Sequence, residues 1–321
     1  MTDAEAFIRP LAALKGAKPP APSWFEQAIA APSDEGSIEV EGAAIRYTAW
    51  GRPGQRGLIF LHGGRAHRNW WRPFAPFFAD RFRVVAYDIS GMGDSGWRQR
   101  YSLNLALDEL FAVYRDCGAD PSRRPIVVGH SFGGWMTLAA VERDGEHLSG
   151  AVVIDSPIGL PDPDEGYTVL KGSASPAHER TAKIYATPEE PISRFRFLPN
   201  QTSDQLYLVD YIARTGIREV QGPDGKPGWT WKFDPAQGRN FDIHFDRDLF
   251  LAPRCPLAFI YGEESMFAQG DGLAHLKKQA RGRSPVIMMP GVHHHLMMEE
   301  PLAFVSTLRA LLTTWPVRVG V

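Results

Sequence analysis

The chain of 321 residues reads as an α/β protein: a mostly parallel sheet flanked by helices, with one long insertion late in the chain. Three observations predict this. Over residues 58–156, continuously apolar runs alternate with amphipathic and turn-rich segments, the rhythm of strands covered on both faces by crossover helices. That rhythm stops at residues 157–251 and resumes at Pro256. The third is Gly129-His130-Ser131-Phe132-Gly133, set between the apolar Ile126-Val127-Val128 and a helix-like run at 135–141, which reads as a strand turning sharply into a helix around one serine.

Composition narrows the function. With 44% hydrophobic and 22% charged residues the chain can bury a large core. A net charge of -2 and a pI near 6.6 leave no electrostatic footprint for nucleic acid or an anionic membrane, so a small molecule is the expected partner. A homodimer is compatible with the sequence. Cys117 and Cys255 lie far apart without metal-like spacing, which fits a reducing compartment. The acidic start Met1-Thr2-Asp3-Ala4-Glu5 is not followed by an apolar signal core and no later run reaches the length of a membrane span, so a cytoplasmic location is expected.

Taken in order, residues 1–36 form an Ala/Pro-rich arm and a short helix over 23–30, with capping-box spacing at Ser23 and Glu26. Residues 37–40 and 44–50 are two strands joined at Glu41-Gly42. Leu58-Ile59-Phe60-Leu61 is a buried strand that runs into His62-Gly63-Gly64, where a backbone N–H can face the sheet edge. Trp70, Trp71, Phe74, Phe77 and Phe78 follow at partly helical spacing and suit packing. The strand at 83–88 enters Gly91-Met92-Gly93-Asp94-Ser95-Gly96, a formal match to the dinucleotide fingerprint Gly-x-Gly-x-x-Gly. It fails in context, because Trp97-Arg98-Gln99-Arg100 follows instead of a helix and the next helix start is the cap Ser102. No nucleotide cofactor is expected.

A helix over 103–117 closes at Gly118, and after the serine turn and its helix, Ala151-Val152-Val153-Ile154 is a buried strand ending on Asp155. The insertion at 157–251 reads as mainly helical, with helix-like pieces at 188–196 and 203–215, polar segments at 161–172 and 222–228, and an aromatic stretch at 229–234. Insertions at a sheet edge are commonly lids. Strands at 256–261 and 285–289, a helix over 273–280 and a terminal helix over 301–313 complete the core, which spans 37–156 and 252–321.

A serine is a poor nucleophile at neutral pH, so a reactive one needs an imidazole within reach and a carboxylate behind it. Met289-Pro290-Gly291-Val292-His293-His294-His295 puts three histidines on a loop at the carboxyl edge of the same sheet. A metal reading of this tract is set aside, since adjacent histidines do not all converge on one ion and no second ligand motif accompanies them.

These residues resemble the α/β-hydrolase family. The likeness runs from residue 37 to 313 through the opening hairpin, His62-Gly63-Gly64, Asp88 to Ser95, Gly129 to Gly134, and Gly291-Val292-His293-His294 with Glu299-Glu300-Pro301. It implies an eight-stranded sheet with a cap inserted after the sixth strand, Ser131 as nucleophile, His294 as base, and an oxyanion hole from the N–H groups of Phe132 and Gly64. It makes the turn at 91–96 structural. The usual acid position, three residues after Gly262, holds Ser265, so the resemblance favours Asp155 at the end of the sixth strand, with Glu264 or Glu263 as alternatives.

A serine instead of an aspartate at the elbow points away from dehalogenase or epoxide hydrolase chemistry and toward acyl transfer to water, without a cofactor or metal. The expected substrate is an ester or lactone with an apolar body, contacted by Arg65, Trp135, Trp229 and Trp231. The sixth-strand acid resembles that of zearalenone-cleaving lactonases. Meta-cleavage carbon–carbon hydrolases and a non-catalytic ligand-binding protein are the alternatives, and cofactor-free haloperoxidases rank below them.

Overall fold

The computed structural model describes residues 7–162, 164, 166–170, 182–222, 225–236, 243–246, 248–280 and 283–314. The chain opens with helix α1 (Ser23–Ile29), the hairpin strands β1 (Asp34–Val40) and β2 (Ala43–Trp50), then β3 (Gly57–Leu61) and β4 (Arg83–Tyr87). Helix α2 (Leu103–Asp116), β5 (Ile126–His130), α3 (Phe132–Asp144) and β6 (Gly150–Ile154) follow. The insertion carries β7 (Pro161–Asp162), β8 (Gly166–Leu170), α4 (Glu189–Ser193), α5 (Leu206–Thr215), β9 (Ile217–Gln221), β10 (Pro227–Trp231) and β11 (Ile243–Phe245). The core resumes with β12 (Leu257–Gly262), α6 (Asp271–Ala280), β13 (Val286–Met289), α7 (Leu296–Glu299) and α8 (Pro301–Thr314).

Eight strands pair in the order β1-β2-β4-β3-β5-β6-β12-β13. Strand β2 is antiparallel to both its neighbours, and every pair from β4 to β13 is parallel. The continuous apolar runs are explained by burial on both faces. Ile59 and Leu61 join Val127, Val153 and α2, α3 and α6 on one side, while Leu58 and Phe60 join Val128, Ile154, Trp71 and α8 on the other. The hairpin turn at Glu41-Gly42 has φ of 45° and 77°, the paired left-handed conformation that matches strand twist. Both cysteines are buried. Among the described residues no helix is long and apolar enough to cross a membrane.

Three local expectations change. The capping box at Ser23 does not form, because the amides of Phe25 and Glu26 already bond to the Pro22 carbonyl, which makes Pro22 the N-cap and Ser23 the first helical residue. The arm is not a bare linker. Leu11 is buried with Phe25, Ile192 and Leu208, and Arg214 donates to the Gly16 carbonyl. The insertion, expected to be mainly helical, is mixed in its described part. Strands β7, β8 and β11 make a small sheet, and β9 and β10 a hairpin, beside two short helices. These strands pair mostly with near neighbours and are only half-buried, so no continuous apolar run marks them. The expected segments at 161–172 and 222–228 lie partly outside the described residues.

The turn at 91–96 anchors the insertion. Gly93 donates to the Lys232 carbonyl, and Asp234 donates back to the Gly91 carbonyl, both at 2.7 Å. Lys232 pairs with Asp94 at 2.7 Å, and the Tyr101 hydroxyl bonds to Asp234 at 2.6 Å. A glycine pattern that formally suggested phosphate binding instead receives a strand end.

Candidate active site

Strand β5 delivers Ser131 to the carboxyl edge of the sheet, and α3 begins at the next residue. The turn is tight enough to demand glycine on both sides. A Cβ at Gly129 would lie 2.1 Å from the Gly133 carbonyl oxygen, and one at Gly133 would lie 2.5 Å from that of Leu61. Ser131 itself has φ 55° and ψ -117°, a costly conformation for a residue with a side chain. It is held there by its amide, which donates to the Ile154 carbonyl at 2.9 Å, and by Ser156 Oγ, which donates to its carbonyl at 2.8 Å. Positive φ at non-glycine residues concentrates here: Arg65 (59°) and Asp155 (44°) share it.

The three consecutive histidines have three different environments. His293 is exposed, and its amide and Nδ1 both meet Glu299, at 2.7 and 3.0 Å. His295 is buried beside Trp70 and Phe197, with its amide donating to Gln201 Oε1 at 2.9 Å. His294 alone faces a fully buried carboxylate: its Nδ1 lies 2.8 Å from Asp155 Oδ1. That contact assigns the Nδ1–H tautomer and leaves Nε2 as the lone-pair nitrogen, buried and without a hydrogen-bond partner among the described residues. The His294 ring packs 4.7 Å from that of His130, which immediately precedes Ser131.

Asp155 is fully buried and saturated with donors. Gly262 N donates to Oδ2 at 2.7 Å, and Ser265 Oγ donates to Oδ1 at 2.5 Å. Burial raises its pKa to about 6, opposed by the hydrogen bonds from Ser265 and Gly262. Burial also lowers His294 to about 3, so at neutral pH the imidazole is neutral beside a carboxylate. The alternative acids do not reach this pair. Glu263 and Glu264 are exposed, and Glu263 instead accepts from the Gly291 amide at 3.1 Å.

Gly64 and Phe132 are neighbours in space, since a Cβ at Gly64 would lie 3.7 Å from that of Phe132. The loop before Gly64 is fixed by His62, whose Nδ1–H donates to the Gly63 carbonyl at 2.8 Å while Nε2 accepts from Ile89 N at 3.2 Å. Phe132 is the first residue of α3, directly after Ser131. Of the expected substrate contacts, Arg65 and Trp231 line one cavity of about 390 Å³. Trp229 pairs with Tyr185 by backbone hydrogen bonds of 2.8 Å and does not line this cavity. Trp135 donates from Nε1 to the Pro157 carbonyl at 2.7 Å, pinning the start of the insertion.

Sequence reasoning missed two supports of the site. Ser265 was discounted as acid and proves to hold Asp155. Gln201, from the insertion, is buried and bonds both the His295 amide and Glu299, bracing the histidine loop. Neither residue type signals such a role on its own. The three adjacent histidines do not converge, since His293 turns to Glu299, but His294 and His295 are joined by His130, a residue of the elbow that the sequence did not connect with them, and one ring nitrogen from each lies within 4.8 Å of the others.

Residues 58–307 match the model described as the alpha/beta hydrolase family, and the chain belongs to that family. Among curated relatives, epoxide hydrolase 3 of Xenopus tropicalis is 28% identical over 91% of this chain and 81% of its own length. Proline iminopeptidase PfmaB of Pestalotiopsis fici is 26% identical over 49% of this chain and 50% of its own. The chain thus spans about half the length of that relative, and 60% of a norfluorocurarine synthase from Strychnos. Among solved structures, the thioesterase domain of the curacin biosynthetic pathway superposes with a TM-score of 0.68 at 20% identity, covering 87% of this chain and 99% of that one.

Proposed function

We propose that this protein is a serine hydrolase that cleaves an ester or lactone of a small, largely apolar substrate through an acyl-enzyme. The observation that carries the reading is the buried Asp155–His294 pair at 2.8 Å, with His294 Nε2 unpartnered and its ring 4.7 Å from that of His130, which precedes the strained Ser131. In this reading His294 Nε2 takes the Ser131 proton as Oγ attacks the substrate carbonyl carbon. The Phe132 and Gly64 amides hold the oxygen as it becomes negative. His294 then gives the proton to the leaving alcohol, and the acyl group remains on Oγ. Water repeats the cycle, losing its proton to His294 as it attacks the ester and returning Ser131 to the hydroxyl form. Asp155 keeps the imidazole in the correct tautomer and stabilises its charged form. Residues 157–251 act as the cap over this site.

His294 Nε2 is expected to close on the Ser131 hydroxyl when substrate expels water, as such contacts form in hydrolase complexes. A fluorophosphonate probe tests the assignment. The wild type should be labelled and the Ser131→Ala variant should not; equal labelling of both, or of neither, removes the serine hydrolase reading. A screen over aryl esters, macrolactones and vinylogous diketones then identifies the bond cleaved.

A further inference from the structure

The cavity that holds Arg65 and Trp231 has an unusual rim. Four arginines surround about 390 Å³, Arg9 from the arm, Arg65 from the loop after Gly64, and Arg194 and Arg196 from the insertion, and none of the described lining residues is acidic. Three separate parts of the chain therefore bring four positive charges to one opening in a protein of net charge -2. Such a concentration is self-repulsive and raises the local concentration of anions. Guanidinium groups are suited to planar oxyanions, which they bind through paired hydrogen bonds. The walls between them are apolar: Phe195, Trp231 and Phe233 line the same cavity, and the Arg65 guanidinium lies 5.5 Å from the Phe233 ring centre. Stacking of this kind holds an arginine in place.

Position links the cavity to the reaction. Arg65 directly follows Gly64, and a Cβ at Gly63 would lie 3.5 Å from that of Ser131. Adjacent Cα atoms are about 3.8 Å apart, so a molecule with its carbonyl at Ser131 reaches Arg65 within a few bonds. We propose that the substrate is an anionic ester, with a carboxylate or phosphate seated at Arg194 and Arg196 and an apolar linker lying along Trp231 and Phe233. This assignment rests on the serine hydrolase reading for its ester and on the arginine rim for its charge, and the two can fail separately.

The test compares p-nitrophenyl hexanoate with mono-p-nitrophenyl adipate, esters of matched length that differ by one terminal carboxylate. The wild type should favour the adipate ester at least tenfold in kcat/KM, and Arg194→Gln/Arg196→Gln should bring the ratio close to one. Calorimetry on Ser131→Ala, with adipate and with inorganic phosphate as separate ligands, reads anion binding without turnover. Binding of either, weakened at least tenfold by the arginine pair of substitutions, supports the site, and the tighter anion identifies the headgroup. A wild type that hydrolyses both esters equally and a Ser131→Ala variant that binds neither anion would overturn it. Anion binding in a protein that no fluorophosphonate labels would sink the hydrolase reading and leave the anion site standing.

Discussion

Ser265 donates a 2.5 Å hydrogen bond to Oδ1 of Asp155, the same oxygen that faces His294 Nδ1 at 2.8 Å. A serine at the position where most relatives are expected to carry their acid has become a brace for an acid placed one strand earlier. Its hydroxyl favours the charged carboxylate, against the burial that raises Asp155 to about 6. Ser265→Ala should therefore move the acid limb of the kcat/KM profile upward by about half a unit to one unit. Ser265→Thr, which keeps the donor, should restore it. An unshifted limb in Ser265→Ala would make the serine a packing residue only.

The carboxylate itself should matter far more. Asp155→Asn is expected to lower kcat by about 10³- to 10⁴-fold, the scale seen when the acid behind a catalytic histidine loses its charge. Glu264→Gln, at an exposed position, should leave kcat within about twofold. Steady-state kinetics on one ester decides between them, and the reverse ranking would move the acid.

The nucleophile's backbone predicts a gain in stability at the expense of activity. Ser131 sits at φ 55°, which a glycine adopts without strain. Ser131→Gly should melt higher than Ser131→Ala by about 2–4 °C, corresponding to about 1 kcal/mol of relieved strain. Alanine removes the hydroxyl but keeps the Cβ, so equal melting temperatures would show that the turn costs nothing.

The glycine at the other side of the turn is structural. A Cβ on Gly133 meets the Leu61 and His62 carbonyl oxygens at 2.5 and 2.7 Å, both backbone atoms of β3 and its loop. Gly133→Ala should cost about 3 kcal/mol or more, seen as a loss of folded protein or a large drop in denaturation midpoint.

Acid should destabilise the fold as well as silence it. His62, His67, His130, His294 and His295 are all buried, and burial lowers each below its ordinary value, His67 to about 4 and both His130 and His294 to about 3. In the unfolded chain they take up protons below about 6.5, so each withdraws up to about 1.4 kcal/mol per pH unit as pH falls from there toward its folded value. Asp155, raised to about 6, opposes this over the window between the unfolded carboxyl value and 6, and five histidines outweigh it. Thermal melts should fall steeply from pH 6.5 to 5. A flat profile there would contradict the burial of the histidines in neutral form.

The sheet was legible because its strands are covered on both faces, which leaves uninterrupted apolar runs such as Leu58-Ile59-Phe60-Leu61. Ser131 was legible because its turn needs particular glycines, whereas the family resemblance singled out His294 among three adjacent histidines. The Asp155–His294 contact joins residues 139 apart, and only the resemblance pointed to it. Ser265 and Gln201 act through one or two side-chain hydrogen bonds, which leave no period or composition behind. The insertion was misread as helical because its strands are short and half-exposed, and alternation over three to five residues is too brief to separate from loop.

The anchoring of the insertion at 91–96 has a kinetic consequence. Lys232, Asp234 and the Met92–Phe233 bridge join that edge to the core through main-chain bonds, so lifting it would break several hydrogen bonds and an ion pair at once. Passage of a ligand past the arginine rim requires no such break. If traffic runs that way, the encounter rate for an anionic ester falls as ionic strength rises, while that for a neutral ester of the same length stays level. The stitch at Asp94 and Lys232 would then make the protein a salt-sensitive filter upstream of its chemistry.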